Sequence, residues 1–237
     1  MKAIADRIKE INWDNFTEQM HANGYAVLPK LITPTECEVL KETYADPNNF
    51  RKTVVMERYR FGLGVYKYFR YPLPQIIQDL RKEIYPVLAG IANEWFRQLG
   101  LKTVFPLVHE ELLAQCHRAG QEQATVLILR YEEGGFNTLH QDLYGEIFFP
   151  MQLVVMLSEL EEDYSGGEFV LTQQIPRAQS KAIVLQPSKG DVLVFTTNFK
   201  PQKGARGFYR VNMKHGVSEV HSGERYTLGV IFHDAIS

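Results

Sequence analysis

Beyond about residue 124 the apolar pattern of this 237-residue chain changes period, and no other feature restricts the fold as much. Upstream, apolar residues recur at helical spacing. Downstream they fall in short strand-like runs over 124–131, 147–157, 167–172, 181–186, 191–196, 207–215 and 225–232. Turn signals part these runs: Gly134-Gly135, Ser165-Gly166-Gly167, Ser188-Lys189-Gly190-Asp191 and Ser222-Gly223-Glu224. Many short strands at this spacing predict a β-sandwich or jelly-roll barrel.

The first hundred residues read as mostly helical. Ile4, Ile8 and Ile11 share one helical face, Trp13 to Met20 continues or restarts a helix, and Asn23-Gly24 stops it. Tyr25 to Leu28 reads as a short strand. Thr33-Pro34-Thr35-Glu36 is a helix start, with Thr33 as the cap, Pro34 in the first turn and Glu36 closing a capping box. Residues 75–99 form one long stretch with Ile76, Leu80, Ile84, Leu88, Ile91 and Trp95 on a stripe, and Pro86 is expected to kink or divide it. The aromatic run Val65 to Tyr71 is expected to pack on the core. The fold class is therefore mainly β with N-terminal helices. Residues 1–104 are expected to form a mostly helical buttress and 105–237 a jelly-roll core, together one compact unit.

Bulk properties exclude several classes. No apolar run approaches the roughly 18–20 residues that span a bilayer. Met1 to Arg7 has no apolar segment of the secretory kind. Two cysteines, Cys37 and Cys116, make no disulfide framework, which suggests a reducing, cytoplasmic setting. A net charge of −2 is not the footprint of a protein that grips nucleic acid through overall charge, although a local basic patch is compatible with it.

His140 and Asp142 are two residues apart, so on a strand or its extended end they point to the same side. An imidazole and a carboxylate on one side, plus one distant imidazole, make the ligand set of a non-haem Fe(II) centre with an open face. Three histidines could complete it. His215 continues the period-two face of Tyr209, Val211 and Met213; His221 lies in a polar turn; His233 follows the last strand. His215 is the expected ligand. Arg225 comes ten residues later, after the turn at Ser222-Gly223-Glu224, and shares a face with Thr227, Gly229 and Ile231. A buried guanidinium there needs an anion: an iron-chelating dicarboxylate could offer its second carboxylate, or Glu168 or Asp191 could form a structural ion pair. His109 and His117, eight apart on one helix, are too far from each other for one metal and read as structural.

His140-Gln141-Asp142, His215 and Arg225 resemble the iron and 2-oxoglutarate motif of the Fe(II)/2-oxoglutarate-dependent dioxygenases. That resemblance implies a double-stranded β-helix (jelly-roll) core, Fe(II), 2-oxoglutarate and O₂, with ascorbate as an optional reductant. The run from Leu129 to Gly134 is similar to a segment of the prolyl hydroxylases and the AlkB-type alkylated-nucleic-acid demethylases, which makes Tyr131 a cosubstrate candidate. Leu129 stands where the AlkB type has Asn. More of the chain, including Asn23 to Pro29, Tyr68 to Pro74, Leu139 to Glu146, Gly166 to Thr172, His215 to Ser218 and Arg225 to Ala235, resembles a bacterial 2-oxoglutarate/Fe(II) oxygenase family labelled as acting oxidatively on damaged, methylated DNA. The implied reaction turns 2-oxoglutarate into succinate and CO₂ and hydroxylates a substrate C–H; an N-methyl group would leave as formaldehyde.

The expected function is an oxidative hydroxylase or demethylase, with methylated DNA or RNA as the implied partner. The alternative is a prolyl-type protein or small-metabolite hydroxylase, which the ten-residue step from His215 to Arg225 and the mildly acidic charge favour. A second alternative is a non-catalytic, metal-binding cupin-like module. Tyr59, Phe61, Tyr66, Tyr68, Phe69 and Tyr71 sit among Arg51, Lys52, Arg58, Arg60, Lys67 and Arg70, a mixture that can stack bases and hold phosphates or simply pack under the barrel. Lys200, Lys203, Arg206 and Arg210 form a second basic group, either a rim to the site or a polar loop.

Overall fold

The structure is a computed structural model that describes residues 2–143 and 145–237. Met1 and Tyr144, which fall in two of the stretches read above, lie outside the described residues. In chain order the elements are helices α1 (Ile4–Lys9) and α2 (Trp13–Asn23), strand β1 (Tyr25–Leu28), helix α3 (Pro34–Glu42), strands β2 (Phe50–Val55), β3 (Gly62–Leu63) and β4 (Val65–Phe69), and helices α4 (Gln75–Gln98) and α5 (His109–Arg118). Strands β5 (Leu127–Tyr131), β6 (Phe136–His140), β7 (Met151–Met156), β8 (Tyr164–Gly166), β9 (Phe169–Gln174) and β10 (Lys181–Leu185) follow. The chain closes with β11 (Val192–Thr196), β12 (Phe199–Gly204), β13 (Gly207–Val217), β14 (Val220–Gly223) and β15 (Arg225–Ile231).

Local chemistry sets the helix ends. Thr33 Oγ1 accepts from the Glu36 amide at 3.3 Å while the Glu36 carboxylate accepts from the Thr33 amide at 2.8 Å, the reciprocal capping box. Gly24 ends α2 at φ +80°, and its N–H reaches Met20 O at 2.8 Å. Of the two outcomes expected at Pro86, division does not occur, and α4 runs on to Gln98. Ile84, Tyr85, Leu88 and Ala89, on both sides of the proline, are buried, so tertiary packing holds the turn whose hydrogen bond Pro86 removes.

The described strands form a seven-stranded sheet, β1-β11-β7-β15-β5-β4-β2, facing a second sheet, β10-β9-β13-β6-β3, with β12 on β13 and a β14-β8 pair beside them. The named pairings are all antiparallel, as the jelly-roll reading requires. Alternation along the central strands divides two cores. Leu153 and Val155 of β7 and Leu228 and Val230 of β15 face the helices, packing with Ile84, Leu88 and Trp95 of α4. Val154 and Met156 point the other way, into the space between the sheets, with Leu171, Leu193, Phe195, Val211 and Met213. The central strands are buried on both faces, so they read as continuous apolar runs.

The N-terminal segment also supplies strands. Beyond the expected β1, β2 and β4 extend the seven-stranded sheet past β5, with Tyr66 opposite Leu129. The aromatic run at 65–69 is thus an integral strand and not a layer resting on one.

Candidate active site

Strand β6 ends at His140, and its neighbour β13 places His215 directly opposite. The two rings lie 4.2 Å apart between centroids. Asp142, two residues past His140, brings Oδ1 within 3.5 Å of His140 Nε2 and Oδ2 within 3.3 Å of His215 Nε2. One ligand atom from each of the three lies within 4.8 Å of the others. Asp142 and His215 are buried, and His140 is half-buried.

Neighbouring groups aim these side chains. His140 Nδ1 is 2.7 Å from Thr138 O, which turns Nε2 inward. Burial, with His215 beside it, lowers the His140 pKa, so the imidazole is neutral and ready to ligate. Gln141 points away and donates to the Asn198 and Met213 carbonyls, each at 2.8 Å, pinning the turn between the two ligands. Phe195 and Phe169 flank the His215 ring at 4.8 and 6.0 Å.

Arg225 opens β15 opposite Tyr131 on β5, and it is only 1% exposed. Its guanidinium lies 5.6 Å from the Tyr131 ring centroid and 5.9 Å from that of Tyr164. Among the described residues Arg225 makes no ion pair, and its Nε and Nη2 have no hydrogen-bond acceptor. Neither structural counter-ion considered from the sequence serves it. Asp191 accepts from the Lys30 and Ser188 amides, and Glu168 accepts from Ser218 and Gln186. Tyr131 is fully buried, its hydroxyl also lacks a partner, and burial pushes its pKa up to about 12, so it stays a protonated donor. One cavity of about 210 Å³ is lined by His140, Asp142, His215, Tyr131 and Arg225 together.

The remaining histidines stay apart from this cluster. His221 is exposed on β14. His233 is buried, and its Nδ1 accepts from the Phe149 amide at 3.1 Å. His109 meets Phe232 O at 2.9 Å and His117 meets Asp234 at 3.1 Å, both structural contacts.

The basic segments separate into two kinds. Arg51 donates to Ala124 O, Lys67 to Tyr44 O and Arg70 to Phe50 O, so these cations serve the fold. Lys200 is buried and donates to Ala22 O at 2.7 Å, which removes it from the basic group proposed around the β12–β13 hairpin. Lys52, Arg58 and Arg60 are exposed. Tyr59 and Phe61 stack on each other at 5.5 Å and are exposed at 56% and 45%. A second cavity, of about 330 Å³, is lined by Arg51, Lys52 and Tyr59 and shares Phe61, Tyr66 and Tyr68 with the first. Sequence reasoning missed Tyr164 and Gln152, which reach the site from strands with no motif; only the neighbouring Gly166-Gly167 turn hinted at Tyr164.

A jelly roll holding two imidazoles, a carboxylate and an unpaired buried arginine in one cavity defines the class of the 2-oxoglutarate/Fe(II) oxygenases. Two solved structures share the fold. A Pseudomonas putida prolyl-4-hydroxylase has TM-score 0.53 at 12% identity, over 92% of this chain and 97% of that one. A 2OG-Fe(II) oxygenase family oxidoreductase from Burkholderia pseudomallei has TM-score 0.51 at 16% identity, over 95% and 93%. A family model described as an oxygenase catalysing oxidative methylation of damaged DNA, Oxygenase-NA, matches residues 64–235, and the chain belongs to that family. Uncharacterized proteins Rv2227 and MT2286 of two Mycobacterium tuberculosis strains are each 46% identical over 167 residues, 70% of this chain and 72% of theirs. The class works with Fe(II), 2-oxoglutarate and O₂, and His140, Asp142 and His215 fit its iron. No helix among the described residues is long and apolar enough to cross a membrane.

Proposed function

We propose that His140, Asp142 and His215 hold Fe(II), that Arg225 and Tyr131 hold the distal carboxylate of 2-oxoglutarate, and that the substrate is an N-methyl group on damaged nucleic acid. One observation carries the assignment: a cluster of two imidazoles and a carboxylate shares a cavity with a buried guanidinium that has two donors lacking acceptors. The donor set suits a divalent iron, and the unsatisfied Nε and Nη2 of Arg225, with the Tyr131 hydroxyl, suit one carboxylate.

When bound, Fe(II) with 2-oxoglutarate and O₂ supplies the oxidising chemistry, which gives succinate, CO₂ and a hydroxylated carbon. The chain supplies orientation. Thr138 O fixes the His140 ring, and the Arg225 fork, stripped of water, anchors the cosubstrate at the far end from the metal ligands. Leu129, Val154 and Val217 line the cavity and keep water from the reacting carbon. The adjoining cavity supports a nucleic-acid substrate, since it offers exposed aromatic side chains at Tyr59 and Phe61 beside the exposed Lys52. Hydroxylation of an N-methyl carbon there releases formaldehyde and restores the unmethylated base.

Protein loaded with Fe(II) should convert 2-oxoglutarate to succinate, and His140→Ala or Arg225→Ala should abolish this. Turnover untouched by either change would defeat the enzyme assignment. A competition panel of methylated oligonucleotides, proline peptides and free amino acids tests the substrate. Formaldehyde release from an oligonucleotide is the expected result; a gain of one oxygen on a peptide or amino acid alone would overturn the nucleic-acid reading.

A further inference from the structure

Strand β7 lies at the centre of the seven-stranded sheet, between β11 and β15. Its alternation sends Leu153 and Val155 to the helices and Gln152, Val154 and Met156 into the space between the sheets. Gln152 is therefore a carboxamide on an otherwise apolar face, 6% exposed, where an unbonded amide would be strongly disfavoured. Its Nε2 is 2.9 Å from Asp142 Oδ2 and 3.2 Å from His215 Nε2.

The carboxylate decides which way the amide faces, because turning Oε1 toward Oδ2 would oppose two acceptors. The NH₂ group therefore donates to Oδ2 and also stands against the His215 nitrogen. His215 Nδ1 is buried with no hydrogen-bond partner among the described residues, so the polar contacts that orient this ring are those at Nε2, with Gln152 at 3.2 Å and Asp142 Oδ2 at 3.3 Å.

We propose that Gln152 is a positioning residue for the metal site. It holds Asp142 through Oδ2, so the carboxylate offers Oδ1, the oxygen beside His140, as a one-oxygen ligand. It also packs its amide against His215 Nε2 and so orients that ring. Both contacts hold the ligand atoms of Asp142 and His215 in place beside that of His140, where the three would meet one metal ion. This rests on the metal-ligand assignment made above.

The test uses Co(II) as an optical probe with the full-length protein, apo and metal-loaded. Gln152→Met keeps the shape and removes the donors. It should weaken Co(II) binding by roughly 10- to 100-fold, as loss of a ligand-orienting hydrogen bond does, and alter the visible absorption of the Co(II) form. At saturating metal the KM for 2-oxoglutarate should move less than about threefold. Val155→Ala, on the helix-facing side of the same strand, should lower Tm and leave Co(II) affinity and spectrum unchanged. Gln152→Leu repeats the test with a different apolar shape. If Gln152→Met binds Co(II) as tightly as the parent, with the same spectrum, the assignment of Gln152 is overturned. If both variants fail to fold, its role is structural and the assignment is likewise overturned. If His140→Ala binds Co(II) as well as the parent does, the metal reading fails, and the Gln152 assignment falls with it.

Discussion

A buried arginine with donors that lack acceptors weakens a fold unless something else binds it. Arg225 is such a residue, and the trade between stability and function can be measured there. Replacing a buried ionic group with an apolar one of similar length is often neutral or stabilising by about 1–4 kcal/mol. Arg225→Met should therefore keep or raise the Tm of the apo protein. The same change should weaken 2-oxoglutarate by roughly 2–4 kcal/mol, the loss typical when a charge-assisted pair is removed. Calorimetry on one protein gives both numbers, and a variant that loses stability but keeps cosubstrate affinity would make Arg225 structural. Gly167 supports the same side chain from behind. It sits at φ +62°, and a Cβ there would stand 2.9 Å from Arg225 Cδ. Gly167→Ala should raise the KM for 2-oxoglutarate and cost about 1–2 kcal/mol of stability, from the strained φ and the displaced arginine stem. At this scale the sequence was informative because metal ligation and carboxylate recognition accept few side chains. His140, Asp142, His215, Tyr131 and Arg225 do line one cavity. Gln152 and Tyr164 were invisible because an amide or phenol acquires meaning only from what the neighbouring strands bring against it.

Elements were legible where one face is apolar and opaque where both faces have other duties. Strands β7, β11 and β15 announce themselves because both of their faces are packed. Strand β6, which delivers His140, was not among the expected runs. Its Asn137, Thr138 and His140 line the cavity, Phe136 and Leu139 are exposed, and so it has no buried face to give a period-two signal. Strand β2 hid in the same way, with only Phe50 and Val54 buried in Phe50-Arg51-Lys52-Thr53-Val54-Val55. The joint between the helices and the sheet was also unread. Arg81 of α4 meets Asp234, just past β15, at 3.1 Å, and the partners are 3% and 0% exposed. Tyr71 OH lies 2.9 Å from both Asp234 oxygens, and His117 of α5 reaches Oδ2, the oxygen not paired with Arg81, at 3.1 Å. Asp234→Ala would strand the buried guanidinium and should cost about 3–5 kcal/mol in denaturant unfolding. Pairing it with Arg81→Met should recover most of that loss. No recovery in the double variant would mean that Tyr71 and His117, rather than the ion pair, depend on the carboxylate.

For the whole molecule, the two layers of core bury histidines on the helix side as well as in the site, and this sets how the protein meets acid. Burial pushes His109 and His233 from 6.5 down to about 4. Both are therefore neutral in the folded protein across a range in which the unfolded chain takes up protons. Where the unfolded state binds more protons, stability rises with pH, so it must fall as pH drops from about 6.5 toward 4. Each histidine should remove on the order of 2 kcal/mol by about pH 5, a large share of a typical domain's stability. His21 and His140, also lowered by burial, act in the same sense. Glu36 and Glu168, held low by their hydrogen bonds to Arg7 and Ser218, contribute with the same sign, but only once pH falls into the ordinary carboxylate range near 4.5. The interval between about 6.5 and 5 thus isolates the imidazoles. Unfolding free energy measured across it should fall with a slope near two protons or more, and His109→Gln should flatten that slope by about one. His109 lies in a ring cluster with Tyr85 and Phe232, on the helix side of β15 and away from His140, Asp142 and His215. Its removal should therefore leave Co(II) affinity at neutral pH unchanged, so acid unfolding and acid loss of metal can be told apart. A parent protein whose stability stays flat between pH 6.5 and 5 would mean that these imidazoles are charged or wet in the folded state, and the close-packed joint of α4, α5 and β15 would then be wrong.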